Sequence, residues 1–149
     1  MPTGQRVDPL RNFNFLVEID GITQAGFQDC SGFGASTDPI EYREGNENPG
    51  RDPKTMRKLP GMTKYNNITL KWGLTDSTEL YDWYRDITKG MDVRKNGSII
   101  VLDTQGQEKV RWNFRNGWPT KWDGPDFTSK GNDVAIETLE IAHEGIELA

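Results

Sequence analysis

A chain of 149 residues with a net charge of −5, one cysteine and one histidine has the length of a single domain. Its acidic balance argues against binding nucleic acid, which calls for a basic footprint. Cys30 has no second cysteine to pair with, and no run approaches the ~18 apolar residues of a membrane helix. The apolar fraction is only 34%, so five Trp, six Phe and four Tyr must supply much of the buried area. Either the surface is very polar, or part of the apolar stock lies in an interface. Residues 1–12 hold no apolar stretch of signal-peptide type, which points to folding in a reducing cytoplasm.

In chain order, Phe13, Phe15, Val17 and Ile19 share one face of a half-buried strand, closed by the Asp20-Gly21 turn signal. Gly26, Gly32 and Gly34 suggest a bent or bulged strand next. Residues 40–44 alternate again, with Ile40 and Tyr42 opposite Glu41 and Arg43. Residues 45–64 hold three prolines, three glycines and no apolar period, and read as a long loop. In residues 67–74, Ile68, Leu70, Trp72 and Leu74 share one face, and Asn67, Thr69 and Lys71 the other.

The period then changes. Leu80, Trp83, Tyr84 and Ile87 form a helical stripe over residues 77–89, with Asp76 or Ser77 as cap and Gly90 as terminator. Residues 98–114 read as a hairpin about 104–107, and residues 116–125 are punctuated by turn signals. The last segment is ambiguous. Ile136, Leu139, His143 and Ile146 suit a helix, while Val134/Ile136 and Leu139/Ile141 suit strands with a register change between them. The sum is a mainly β chain, a sandwich or small barrel of about seven strands with one flanking helix.

The sequence holds little that could carry chemistry. His143 lies among glutamates with no evident nucleophile partner, and Cys30 and His143 lack metal-ligand spacing. There is no phosphate-loop or dinucleotide fingerprint, so no enzyme, metal or cofactor is expected. Trp112, Trp118 and Trp122 are close enough in sequence to suggest a sugar-stacking platform, although core or interface packing is the plainer reading. The charge distribution says more. Residues 51–64 carry Arg51, Lys54, Arg57, Lys58 and Lys64 against Asp52 alone, so the rest of the chain is more acidic than the net charge indicates. A basic loop on an acidic body suits a head-to-tail contact between copies, which builds rings or filaments.

The stretch RKLPGMTKYNNITLKWGLTDSTELYDWYRDI (57–87), preceded by FNFLVEIDG and followed by ETLEIAHEGIEL, resembles the tail tube proteins of contractile phage tails and phage-tail-like injection systems. The resemblance spans nearly the whole chain and is most specific over 58–73. It implies one tail-tube domain over 1–149 and a hexameric ring in which strands of six subunits join into one continuous inner barrel. Stacked rings then make a hollow tube that sheath contraction drives into a target. Implied partners are further copies of the chain, a sheath protein, baseplate or spike and tube-terminating proteins, and protein cargo in the lumen. It further implies a strand at the C-terminus.

On this reading Arg51, Lys54, Arg57, Lys58 and Lys64 are expected to touch a neighbouring subunit or ring. Asn67, Thr69 and Lys71 are expected to face the lumen, because a large barrel encloses an aqueous channel. The alternatives are the hexameric tube protein of type VI secretion and a monomeric carbohydrate-binding β-sandwich using the three tryptophans.

Overall fold

The computed structural model describes residues 10, 14–23, 26–42, 57–131 and 133–149. Among these residues there are nine strands and one helix. In chain order they are β1 (Phe15–Ile19), β2 (Phe27–Ser31), β3 (Gly34–Tyr42), β4 (Arg57–Asn66), β5 (Ile68–Gly73), α1 (Glu79–Thr88), β6 (Lys95–Leu102), β7 (Glu108–Asp123), β8 (Ile136–Ala142) and β9 (Gly145–Leu148). The mainly β architecture with one helix is as the sequence implies.

Strand β7 organises the body. Its first part pairs β6 on one edge and β9 on the other, and its last part pairs β8. One half-sheet is therefore β1-β6-β7-β9, the other β7-β8-β5-β2, all antiparallel. The strand bends at Asn116, which takes the left-handed φ of 52°. Beside it, a side chain at Gly117 would come within 2.9 Å of the Phe114 ring. The turn signals of residues 116–119 thus mark a bend inside a strand rather than its end.

The two halves close over one core. Val17, Ile19, Ile99 and Phe114 face Ile68, Leu70, Trp72, Leu139 and Ile141, and Leu80 and Trp83 of α1 join the same cluster. Helix α1 matches its expected stripe, but its N-cap is Thr78 rather than Asp76 or Ser77. Glu79 ties the helix to the loop after β1, accepting from the Thr23 backbone N–H and hydroxyl, each at 2.9 Å. Gly90 ends the helix at φ 85°.

The C-terminal segment is two strands, β8 and β9, with no register change inside β8, which pairs β5 without interruption from Ile136 to Ile141. Glu137, Leu139 and Ile141 therefore share the buried face and Ile136 takes the other. The apparent register change came from a glutamate standing at an inward position.

The expected loop over 45–64 is corrected in its second half. Residues 57–66 are β4, paired along its length with β3 as a separate two-stranded ribbon. Residues 43–56 lie outside the described residues, and with them Arg51 and Lys54. Strand β4 lacks the one-sided apolar alternation of a packed strand because the ribbon leaves the body and meets solvent on both faces. Pro39 and Pro60 stand opposite each other in it, a placement tolerated where strands are edges. A side chain at Gly61 would lie 2.6 Å from the Asp38 carbonyl.

Candidate assembly surfaces

Four surface features follow from this topology. The first is the outer face of the half-sheet β7-β8-β5-β2. In β5, burial of Ile68, Leu70 and Trp72 turns Asn67, Thr69 and Lys71 to the opposite side, where they are half-exposed. Register extends that polarity across all four strands. One row runs Ser31, Thr69, Glu140, Lys121, and the next runs Asp29, Lys71, Thr138, Asp123. Neither row contains an apolar residue. Asn67 Nδ2 donates to Glu140 Oε1 at 2.8 Å, so the face is held by its own hydrogen bonds. Sequence pattern finds the β5 share of these rows; the rest depends on strand order.

The second feature is a pair of open edges. β2 ends this half-sheet on one side, and the 118–123 part of β7 ends it on the other, with no further strand beside either among the described residues. Unpaired edges in a monomer are sites for another chain to add to.

The third is the β3–β4 ribbon. Ten residues of strand span roughly 30 Å. Cross-strand register puts Ile40 opposite Leu59 and Tyr42 opposite Arg57, all on one face. Lys58 pairs Glu41 on the other face, whereas the register shift between Thr37 and Pro39 brings Lys64, paired with Ser36, back to the face of Ile40. The basic residues are therefore divided between two sides rather than pooled. Lys64 Nζ lies 4.0 Å from Asp38 Oδ2 on the exposed ribbon. Ile40, Tyr42 and Leu59 are each about half exposed. A two-stranded ribbon alone is marginal in water.

The fourth is an open apolar cleft of about 600 Å³ between β2 and the β1-β6-β7 half, lined by Phe15, Cys30, Phe33, Val101, Val110 and Trp112 among others. Phe33 reaches it from the kink where the ribbon departs and packs on Trp112 at 5.5 Å between ring centroids. At that kink Gly32 has φ 83°, and a side chain there would lie 2.8 Å from the Asn67 carbonyl. Burial pushes the Cys30 thiol up to about 12.

The residues suspected of other roles disperse. Trp112 lines this cleft, whereas Trp122 packs on Tyr81 of α1 at 4.9 Å, so the two do not share a platform. His143 places Nε2 2.9 Å from the Asn66 carbonyl, and its ring lies near Tyr65 and Phe114. Among the described residues no three acidic, histidine or cysteine side chains group as a metal site, and no helix is long and apolar enough to cross a membrane.

Residues 11–147 match the family model described as T4-like virus tail tube protein gp19. A chain in the PVC sheath/tube terminator of an extracellular contractile injection system is 29% identical, with a TM-score of 0.82, covering 96% of this chain and 98% of that one. A chain in the PVC sheath–tube complex in its extended state is 28% identical, with a TM-score of 0.80, covering 95% and 91%. Hcp1 from Flavobacterium johnsoniae shares the fold more distantly, at 18% identity and a TM-score of 0.54, covering 91% and 94%. None of the curated protein sequences matches the chain.

Proposed function

The chain belongs to the T4-like virus tail tube protein family, and from that premise we propose that it is the repeating subunit of the inner tube of an extracellular contractile injection system. Its surfaces are those of a building block rather than a catalyst. The observation that carries the reading is the four-strand half-sheet with two open edges and two polar rows across its outer face.

Antiparallel order makes β2 and β7 run in opposite directions in that half-sheet. A neighbour related by rotation about an axis along the strands brings its own β7 edge beside β2, again antiparallel. An even number of strands per subunit thus lets the alternation continue around a ring without a mismatch. Six copies close the barrel, and closure removes both edges. The outer rows then line the channel, with Asn67, Thr69 and Lys71 in the lumen beside Glu140, Lys121 and Asp29. Polar, sign-alternating walls suit passage of a protein cargo without adhesion.

The helix lies on the opposite side of this half-sheet, where Leu80 and Trp83 reach the core, so it is the surface turned to the sheath. Baseplate and terminator proteins meet the two ends of the stack. The subunit is made in the cytoplasm and ends in an extracellular particle. Arg51, Lys54, Arg57, Lys58 and Lys64 contact adjoining copies, each exposed ion pair adding only ~0–1 kcal/mol but repeated around every ring. The type VI tube reading is weaker, because Hcp1 is more distant in both sequence and fold.

Electron microscopy of the purified protein at rising concentration tests this. Six-fold rings or stacked hollow tubes are expected. A monodisperse species of 16.9 kDa at every concentration and salt, even when a cognate baseplate is supplied, would refute it.

A further inference from the structure

We propose that Trp118 and Glu140 form a contact station for a lysine or arginine side chain of a polypeptide cargo, repeated once per subunit along the channel. The inference rests on the tube reading, in which the outer face of the half-sheet β7-β8-β5-β2 is the channel wall.

Register puts Trp118 on that face. It stands directly opposite Ala142, which shares its side of β8 with Thr138 and Glu140, away from buried Leu139 and Ile141. The next residue, Pro119, is fully buried opposite Ile141. Trp118 thus belongs to the row beyond Glu140 and Lys121. The two polar rows give a passing chain nothing apolar to hold, and this row does.

The fold makes no other use of this indole. Of the five tryptophans, Trp72 and Trp83 lie in the core, Trp112 packs on Phe33 and Trp122 on Tyr81. Trp118 is half-buried and stands outside the core cluster. Among the described residues its Nε1 has no hydrogen-bond partner, and the atom is not enclosed. Its cross-strand partner Ala142 has only a methyl group, which covers little of an indole.

Charge selects the guest. Glu140 is the diagonal neighbour of Trp118 across β7 and β8, within reach of a large side chain at a backbone separation of roughly 7–8 Å. Lys121 stands opposite Glu140 but carries its ammonium to Asp123 Oδ2, at 3.5 Å. Among the described residues Glu140 forms no ion pair, and its carboxylate is held by Asn67 Nδ2 at 2.8 Å. A carboxylate without a cation, beside an open indole, attracts a positive group twice, through its charge and through the ring's negative face. An anionic chain is repelled by the same carboxylate. Each contact is exposed and weak, so cargo is retained by touching several stations and still slides when driven.

Hydroxyl-radical footprinting of tubes of the unmodified chain, read by mass spectrometry at each tryptophan, tests this with a hexa-arginine peptide as probe. Trp118 should stay oxidisable in tubes alone and become protected by hexa-arginine, whereas hexaglutamate should leave its rate unchanged. Protection by tube formation itself would make Trp118 a joint between copies and overturn the proposal. Equal protection by both peptides, or by neither, would overturn it too.

Two variants separate the parts. Trp118→Leu keeps the charge and an apolar side chain but removes the ring, and Glu140→Gln keeps an acceptor for Asn67 but removes the charge. Each should weaken hexa-arginine binding to tubes at low salt by about two- to fivefold, as loss of one exposed contact of this kind implies. Unchanged affinity in either variant also overturns the proposal. Failure of the unmodified protein to form rings or tubes would instead sink the tube reading on which it rests.

Discussion

Trp72 and Glu137 are direct cross-strand partners on β5 and β8, and Trp72 Nε1 donates to Glu137 Oε2 at 2.8 Å inside the core. Glu137 is 7% exposed, the one buried charged side chain in the core among the described residues. It is retained where every other inward position of β8 is apolar because the indole N–H needs an acceptor. Glu137→Leu should therefore destabilise the subunit by ~1–3 kcal/mol, the cost of a buried donor without a partner. Glu137→Gln, which keeps a carbonyl there, should cost less. Urea midpoints of the two variants make the comparison. Equal losses would show that volume, not the hydrogen bond, matters at this position.

Gly97 faces the Phe114 ring across β6 and β7, and a Cβ there would lie 2.6 Å from the Glu18 carbonyl oxygen. Backbone cannot retreat as a flexible side chain could. Gly97→Ala should cost ~1–3 kcal/mol through overpacking, read as a lower thermal midpoint. The open position Gly106, with nothing near its Cβ, differs in kind: its φ of 81° makes alanine unfavourable through backbone strain alone.

Cys30 should be a slow nucleophile. Its thiol is shifted from 9.0 to about 12 by burial, so little thiolate exists near neutrality. Alkylation at pH 8 should run at least about tenfold slower than for a free thiol and recover on unfolding in urea. Because the folded value is raised, the associated stability is fully present below pH 9 and is lost as pH climbs toward 12. Cys30→Ser should flatten that alkaline decline. A decline of equal slope in the variant would assign it to other groups.

Asp103 holds the β6–β7 turn. Its Oδ1 accepts from the backbone N–H of Gln107 at 2.8 Å and of Gln105 at 2.9 Å. The Gln107 N–H leads in holding its carboxyl below the ordinary value; desolvation opposes it, and Gln105 and then Lys109 add to the lowering. A depressed folded value gives stability that is present above the ordinary carboxylate pKa of 3.8 and lost as pH falls through the folded value. Asp103→Ala should lower the thermal midpoint at pH 7 and weaken its acid dependence, whereas Asp103→Asn should lose the acid dependence but keep much of the turn.

Thr69→Leu and Lys71→Leu alter the outer rows without entering the core. Each should leave the subunit's urea stability within ~0.5 kcal/mol, as for surface positions away from buried networks. Each should change cargo loading of assembled particles, measured by co-purification. A large loss of subunit stability would place these side chains in packing instead of a channel wall.

What the sequence shows of this fold depends on which faces are buried. Strand β5 and helix α1 were legible because each has one face in the core, Ile68-Leu70-Trp72 in one and Leu80-Trp83 in the other. Strand β4 was not, because solvent on both sides removes any reason for alternation, and Pro60 and Gly61 imitate a loop. Asn116 and Gly117 were misleading for the opposite reason: the left-handed residue that usually closes a hairpin here lets one strand serve two half-sheets. The polar rows were visible only as the β5 triplet Asn67, Thr69 and Lys71, since Asp29, Glu140 and Lys121 join it through long-range register. The cleft has no sequence signature at all, being made by four separate segments.

Pro39 and Pro60 face each other across the β3–β4 ribbon, and neither has an N–H. At its middle, then, the ribbon cannot donate to a strand laid along either edge. Whatever joins it must be selected by side chains, because main-chain zippering, which accepts almost any extended sequence, is interrupted there. Newly made subunits can accumulate beside one another without their projecting arms fusing into fibres.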